Sequence, residues 1–107
     1  MRQAARTDAN QREIVVAMRT MGATVCDLSS VGRGCPDLLV GYRGKNFAIE
    51  IKGAKGSLTP AQIEWHDGWK GQVQVVRSIE EVVDLLGSVS WKDTVDLVAR
   101  RCRGVVS

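Results

Sequence analysis

The chain of 107 residues is the length of a single domain and leaves no room for a second core. Its 44% hydrophobic and 25% charged residues exclude a disordered chain, and no apolar run approaches the ~20 residues that span a bilayer. A net charge of +3 permits nucleic-acid binding without demonstrating it, while three cysteines (Cys26, Cys35, Cys102) beside one histidine (His66) argue against structural zinc.

The first element reads as a helix. Ile14, Val15, Ala17, Met18 and Met21 follow one helical face; Thr7, Asp8 or Asn10 is placed to cap its start, and Gly22 to end it. Ala23 to Leu28 then reads as a short strand, and Ser29-Ser30-Val31-Gly32-Arg33-Gly34 as a loop that exposes backbone amides. Two strand-like runs follow, residues 36–42 and 46–52, with Arg43-Gly44 as a tight turn between them. Beyond a loop from Gly53 to Leu58, Thr59, Pro60 and Gln62 form a capping box that opens a second helix carrying Ile63, Trp65, His66 and Trp69. Gln72 to Val76 alternates as a strand, and Ser78 caps a third helix bearing Ile79, Val82, Val83, Leu85 and Leu86 and closed by Gly87. One more short helix is expected near residues 93–101. The order α-β-β-β-α-β-α predicts an α/β domain with a central mixed sheet flanked by helices. The polar start (Arg2, Gln3, Arg6, Thr7, Asp8) predicts no secretory signal, and unpaired cysteines predict reduced thiols in a cytoplasm, packed as small apolar groups.

The chemistry concentrates in residues 36–52. A two-residue turn sets Tyr42 opposite Lys45, and the same register carried back sets Asp37 opposite Glu50. Alternation puts Leu38, Val40, Tyr42, Phe47, Ile49 and Ile51 on one face, an apolar set suited to a core. Asp37, Leu39, Ala48, Glu50 and Lys52 share the other face. Opposed carboxylates repel by a few tenths of a kcal/mol or more, so the arrangement benefits the fold only where a cation sits between them. Without metal the pair is expected to share a raised macroscopic pKa. Magnesium, a hard ion held by one or two carboxylates with waters and phosphate, suits the pair. With the Lys52 ammonium alongside, these groups make a set for phosphodiester hydrolysis. The competing reading is a solvated strand face on which Lys52 merely pairs with an acid.

Gly34-Cys35-Pro36-Asp37-Leu38-Leu39-Val40, Ala48-Ile49-Glu50-Ile51-Lys52 and Leu58-Thr59-Pro60-Ala61-Gln62 together resemble the PD-(D/E)XK nuclease superfamily. Within it the match is to the VRR-NUC type, seen as small stand-alone phage proteins and as the nuclease module of larger repair enzymes. The resemblance runs from about residue 10 to residue 86 and leaves 88–107 uncovered. The chain is also similar to archaeal Holliday-junction resolvases, which share the helix glutamate, the aspartate and the Glu-x-Lys. The resemblance implies a single restriction-endonuclease-like domain over residues 1–107 and an Mg²⁺- or Mn²⁺-dependent endonuclease acting on DNA, branched or junction DNA included. By it, Asp37 and Glu50 are metal ligands, the backbone carbonyl of Ile51 a further ligand, and Lys52 the catalytic lysine. Glu13 matches the acidic residue that completes such sites directly or through water, and Gln62 the glutamine approaching from the following helix. Cutting both strands calls for a homodimer, with Trp65, Trp69 or the tail supplying its surface. The compartment implied is the cytoplasm of a bacterial or phage-infected cell.

Other residues carry two readings each. Glu13 is either that site residue or the third-position partner of an Asn10 cap, and Gln62 either reaches the site or serves Thr59. Ser29, Ser30 and Arg33, with Gly32 and Gly34, either bind a DNA phosphate or form an ordinary loop. Lys55 either contacts the DNA backbone or is a plain exposed lysine. Trp65 and Trp69 read as core or interface rather than base-stacking residues, and His66 as the polar tip of a packed helix rather than a general base. Two other function classes compete with the nuclease: a binding module of the same fold that no longer cuts, and a phage structural or assembly protein. Filled positions at Asp37, Glu50 and Lys52 weigh against the first, and metal binding separates both from the nuclease.

Overall fold

The computed structural model describes residues 2–87, with side chains from residue 10 onward. Helix α1 (Arg2–Thr20) begins ahead of the expected caps. Gln3, Ala4, Ala5 and Arg6 are good helix formers, so Thr7, Asp8 and Asn10 lie inside the helix rather than at its start. Its end matches expectation. Gly22 takes φ +100°, its N–H donates to the Arg19 carbonyl and the Ala23 N–H to the Met18 carbonyl, both at 3.0 Å. That pair of bonds is a Schellman motif, and Met18 and Ala23 bury the apolar contact that accompanies it.

Four strands follow: β1 (Thr24–Asp27), β2 (Leu38–Tyr42), β3 (Lys45–Ile51) and β4 (Val73–Val76), lying side by side in that order. The first three are antiparallel and β3 runs parallel to β4, which makes the sheet mixed. Helix α2 (Pro60–Gly68) forms the crossover between β3 and β4, and α3 (Ile79–Gly87) closes the described chain. Ser78 caps α3 as expected, its Oγ accepting from the Glu81 N–H at 3.2 Å.

The hairpin register is the expected one, with Tyr42 opposite Lys45 and Leu38 opposite Ile49. Arg43 (φ +50°) and Gly44 (φ +85°) both take the left-handed region that a two-residue hairpin turn requires. The Arg43 guanidinium lies 5.0 Å from the centroid of the Tyr42 ring. All six residues of the apolar face are buried, and with Ile14 and Met18 of α1 and Val82 and Leu86 of α3 they make the core. Both helices therefore pack on one face of the sheet and leave the other to the carboxylates.

Two expectations need correction. Cys26 is exposed rather than packed, because it sits on edge strand β1 on the face turned away from the core; Cys35 is half-buried. Trp65 and Trp69 belong to no core, since α2 buries none of its residues. The helix expected near 93–101, Cys102 and the uncovered tail lie outside the described residues. No helix among the described residues is long and apolar enough to cross a membrane.

Candidate active site

Asp37 reaches its position through the loop that precedes it. The Leu28 N–H donates to the Asp37 carbonyl at 2.7 Å, extending the β1–β2 pairing by one step. Gly32, Arg33 and Gly34 all take positive φ, which turns the loop back toward α2. A Cβ on Gly34 would collide with the Ala61 carbonyl, so only glycine lets the loop seat on the first turn of α2. Buried Pro36 then delivers Asp37, whose Oδ2 accepts from the Ile51 N–H at 2.8 Å.

Glu50 is the decisive residue. Register carries it opposite Asp37, and it is only 2% exposed, the one buried charged residue among those described. The solvated-face reading fails at this side chain. Its Oε2 accepts from Gln62 Nε2 at 3.2 Å, while its Oε1 is buried with no hydrogen-bond partner among the described residues. Burial, followed by hydrogen bonding and charge from Asp37, pushes the Glu50 carboxyl up from 4.5 to about 8, against the opposing pull of the Lys52 ammonium. Lys52 is half-buried, and its charge acts on the Glu50 carboxyl.

Gln62 resolves its two readings by filling both. Its Oε1 accepts from the Thr59 N–H at 2.9 Å and its own N–H donates to Thr59 Oγ1 at 3.2 Å, completing the capping box. The amide nitrogen remains free for Glu50. An amide is both donor and acceptor, so one side chain ends a helix and orients a carboxylate.

Sequence reasoning missed a clamp behind Lys52. Asn10 Nδ2 donates to the Lys52 carbonyl (3.2 Å) and the Arg77 carbonyl (3.5 Å). Arg77 Nη1 donates to the carbonyls of Gly53 (2.8 Å) and Gly56 (2.5 Å), and the Lys52 N–H to the Val76 carbonyl at 3.1 Å. The segment leaving β3 is thus held on both sides by groups distant in sequence. Its only signal in the sequence was two polar residues, Asn10 and Arg77, next to apolar helical and strand positions.

The structure does not bring Glu13 to the pair. Ile14 faces the core, and the preceding residue is turned toward α3, where Glu13 stands exposed in a groove with Val16, Ile79 and Val83. The cap role fails too, since Asn10 is inside the helix. Among the described residues no group of three His, Cys, Asp or Glu side chains is arranged to hold a metal. Ser29 is committed elsewhere: its N–H donates to Asp27 Oδ1 at 2.7 Å and its hydroxyl to the same oxygen, which holds the Asp27 carboxyl below its usual value. Ser30, Arg33 and Lys55 are exposed near the site's loops. Burial, then the charges of Glu50 and Asp37, push the Cys35 thiol up, so it lies within their field and stays protonated. The His66 Nε2 is buried with no hydrogen-bond partner among the described residues, its ring edge-on to Trp65 at 6.0 Å.

A solved structure described as "VRR_NUC domain" matches this chain with a TM-score of 0.64 and 29% sequence identity, over 78% of this chain and 97% of that one. No protein-family profile and no curated protein matches the sequence.

Proposed function

From its standing as a VRR-NUC-type member of the PD-(D/E)XK nuclease superfamily, we propose that the chain is a divalent-metal-dependent endonuclease hydrolysing DNA phosphodiester bonds. The observation that carries the reading is the open Oε1 of Glu50, buried beside Asp37. A buried acceptor left without a partner costs on the order of 1–3 kcal/mol. A hard cation removes that cost and the repulsion between the two carboxylates together. The donor set fits such an ion. Asp37 and Glu50 offer carboxylate oxygens, Ile51 offers a carbonyl next to Glu50, and an all-oxygen set favours Mg²⁺ or Mn²⁺. With no third acidic group beside them among the described residues, water and substrate phosphate would complete the shell.

The ion, when bound, supplies Lewis-acid polarisation of the phosphate and a water of lowered pKa. The chain's own residues supply the rest. The Ile51 N–H fixes Asp37, and Gln62 fixes one oxygen of Glu50, leaving the other oxygen as the one that would hold an ion. Lys52, its backbone clamped through Asn10, holds an ammonium where it orients water or meets charge developing on the phosphate. Exposed Ser30, Arg33 and Lys55 contact neighbouring phosphates. One site reaches one strand, so paired cuts in branched DNA require a homodimer, which light scattering at micromolar concentration checks.

The test is plasmid nicking with added Mg²⁺ by wild type, Asp37→Ala, Glu50→Ala and Lys52→Ala, followed by a panel of duplex, flap, junction and single-stranded substrates at fixed salt. Mg²⁺-dependent nicking by wild type alone supports the reading. Variants that cut as well as wild type overturn the site. DNA binding without any cleavage returns the chain to a binding module.

A further inference from the structure

Helix α2 presents chemistry that the carboxylate site does not use. The helix buries none of its residues, so its two indoles do not serve the core. Trp65 and Trp69, one turn apart, stack with 4.6 Å between centroids and 18° between planes, and Trp69 stays 48% exposed. With Ala61, Glu64 and Gly68 they line a cleft of about 500 Å³, with Arg33 of the preceding loop also in its lining. That volume is within the ~300–1,000 Å³ of small-molecule sites. Arg33 sits between two glycines at φ +58°, where a glycine would be unstrained. Both walls of the cleft lead along the chain to the carboxylates. Gly34, seated on Ala61, leads in three residues to Asp37, and Ala61 precedes Gln62, whose amide touches Glu50.

We propose that this cleft takes an unpaired nucleotide of the DNA strand, its base stacked on the Trp65–Trp69 pair and its phosphate on the Arg33 guanidinium; the proposal rests on the nuclease reading above. Indole faces make a platform that accepts any base, and a guanidinium pairs a phosphate through two donors. Glu64 in the same wall keeps the phosphate on the Arg33 side and offers an acceptor to an N–H of the base. A second copy of the chain is the rival occupant. Interface centres are depleted of acidic side chains, whereas this cleft holds the Glu64 carboxylate in a concave space. Intact duplex keeps its bases stacked inside, so the substrate class is DNA with unpaired nucleotides near the scissile phosphate.

The test compares binding of a short oligo(dT), the same oligomer carrying abasic sites, and blunt duplex, by fluorescence anisotropy in Ca²⁺. Wild type is expected to bind oligo(dT) about tenfold more tightly than the abasic strand, as stacking of one base provides. Trp69→Ala and Trp65→Ala should erase that difference while leaving blunt duplex binding unchanged, and Trp69→Phe should keep much of it. Arg33→Gly relieves the backbone, so its melting temperature should not fall, yet it should weaken single-strand binding and reduce the salt slope by about one. Equal affinity of wild type for base-bearing and abasic strands overturns the proposal. So does a Trp69→Ala variant that loses nothing. If Trp69→Ala instead turns a dimer into a monomer with oligo(dT) affinity intact, the face is an interface between copies and the cleft falls. Plasmid nicking separates the two readings. Nicking without base discrimination sinks the cleft alone, and discrimination without nicking sinks the nuclease alone.

Discussion

The two faces of the β2–β3 hairpin obey one register and end in opposite states. On the core face, Leu38, Val40, Tyr42, Phe47, Ile49 and Ile51 are buried against α1 and α3. On the other face the same alternation drives Glu50 out of water and leaves one of its oxygens open. A single shared geometry thus stabilises the fold on one side and strains it on the other. The strain is what makes the second face readable as a site: the fold gains from Glu50 only when something else arrives.

Substitutions on the two faces should therefore separate activity from stability. The largest effect expected is on the carboxylate face, where Asp37→Ala or Glu50→Ala should lower Mg²⁺-dependent nicking by on the order of 10³-fold or more. Neither should unfold the chain, as circular dichroism melts can verify. On the core face, Ile49→Ala, one position from Glu50, should cost roughly 2–5 kcal/mol in urea unfolding through lost packing. Its nicking rate under folding conditions should stay near wild type. If Ile49→Ala abolishes cleavage while remaining folded, the two faces are not independent.

A finer division runs through Gln62. Gln62→Glu keeps the oxygen that caps α2, removes the donor to Glu50 and sets a third carboxylate beside the pair. Helix content and urea midpoint in Mg²⁺ should change little, while nicking should fall about 10–100-fold, the usual effect of losing a group that orients a metal ligand. A cleavage loss matched by an equal loss of helix would mean that Gln62 acts through the cap alone.

The hairpin was legible in the sequence because its determinants are local. Arg43-Gly44 fixes the turn, the turn fixes the register, and the register brings Asp37 to Glu50. The Thr59–Gln62 box was legible for the same reason. What escaped depends on contacts between distant segments. Glu50 is buried because Gly34 seats a loop on Ala61, and no local pattern announces that approach. The clamp joins Asn10 to Lys52 and to Arg77, 42 and 67 residues away, and displaces the simpler view of Asn10 as a cap. Glu13 was misjudged because which side of α1 turns to the site depends on how that helix docks, with Ile14 and Met18 facing inward.

The smallest expected effect is thermodynamic, and it tests the comparison without DNA. Folding raises the Glu50 carboxyl from 4.5 to about 8, so between those values the native chain holds a proton that the unfolded chain has released. The contribution of this group to stability is therefore greatest at acid pH and declines as pH rises toward 8. Glu50→Gln removes the titration, keeps an oxygen for Gln62, and should melt a few degrees above the metal-free wild type at pH 8 yet close to it at pH 5. A divalent ion acts in the opposite sense. It needs the ionised carboxylate, so Mg²⁺ or Mn²⁺ should raise the wild-type melting temperature by a few degrees at pH 8 and less at pH 5. Glu50→Gln should lose most of that gain. Substitutions on the core face, Val40→Ala among them, should shift the whole pH profile downward and leave the metal increment as it was. Parallel metal-free profiles for wild type and Glu50→Gln, with equal metal shifts in both, would show that the carboxylate face holds no ion. The burial of Glu50 would then be a cost that the core face alone sustains.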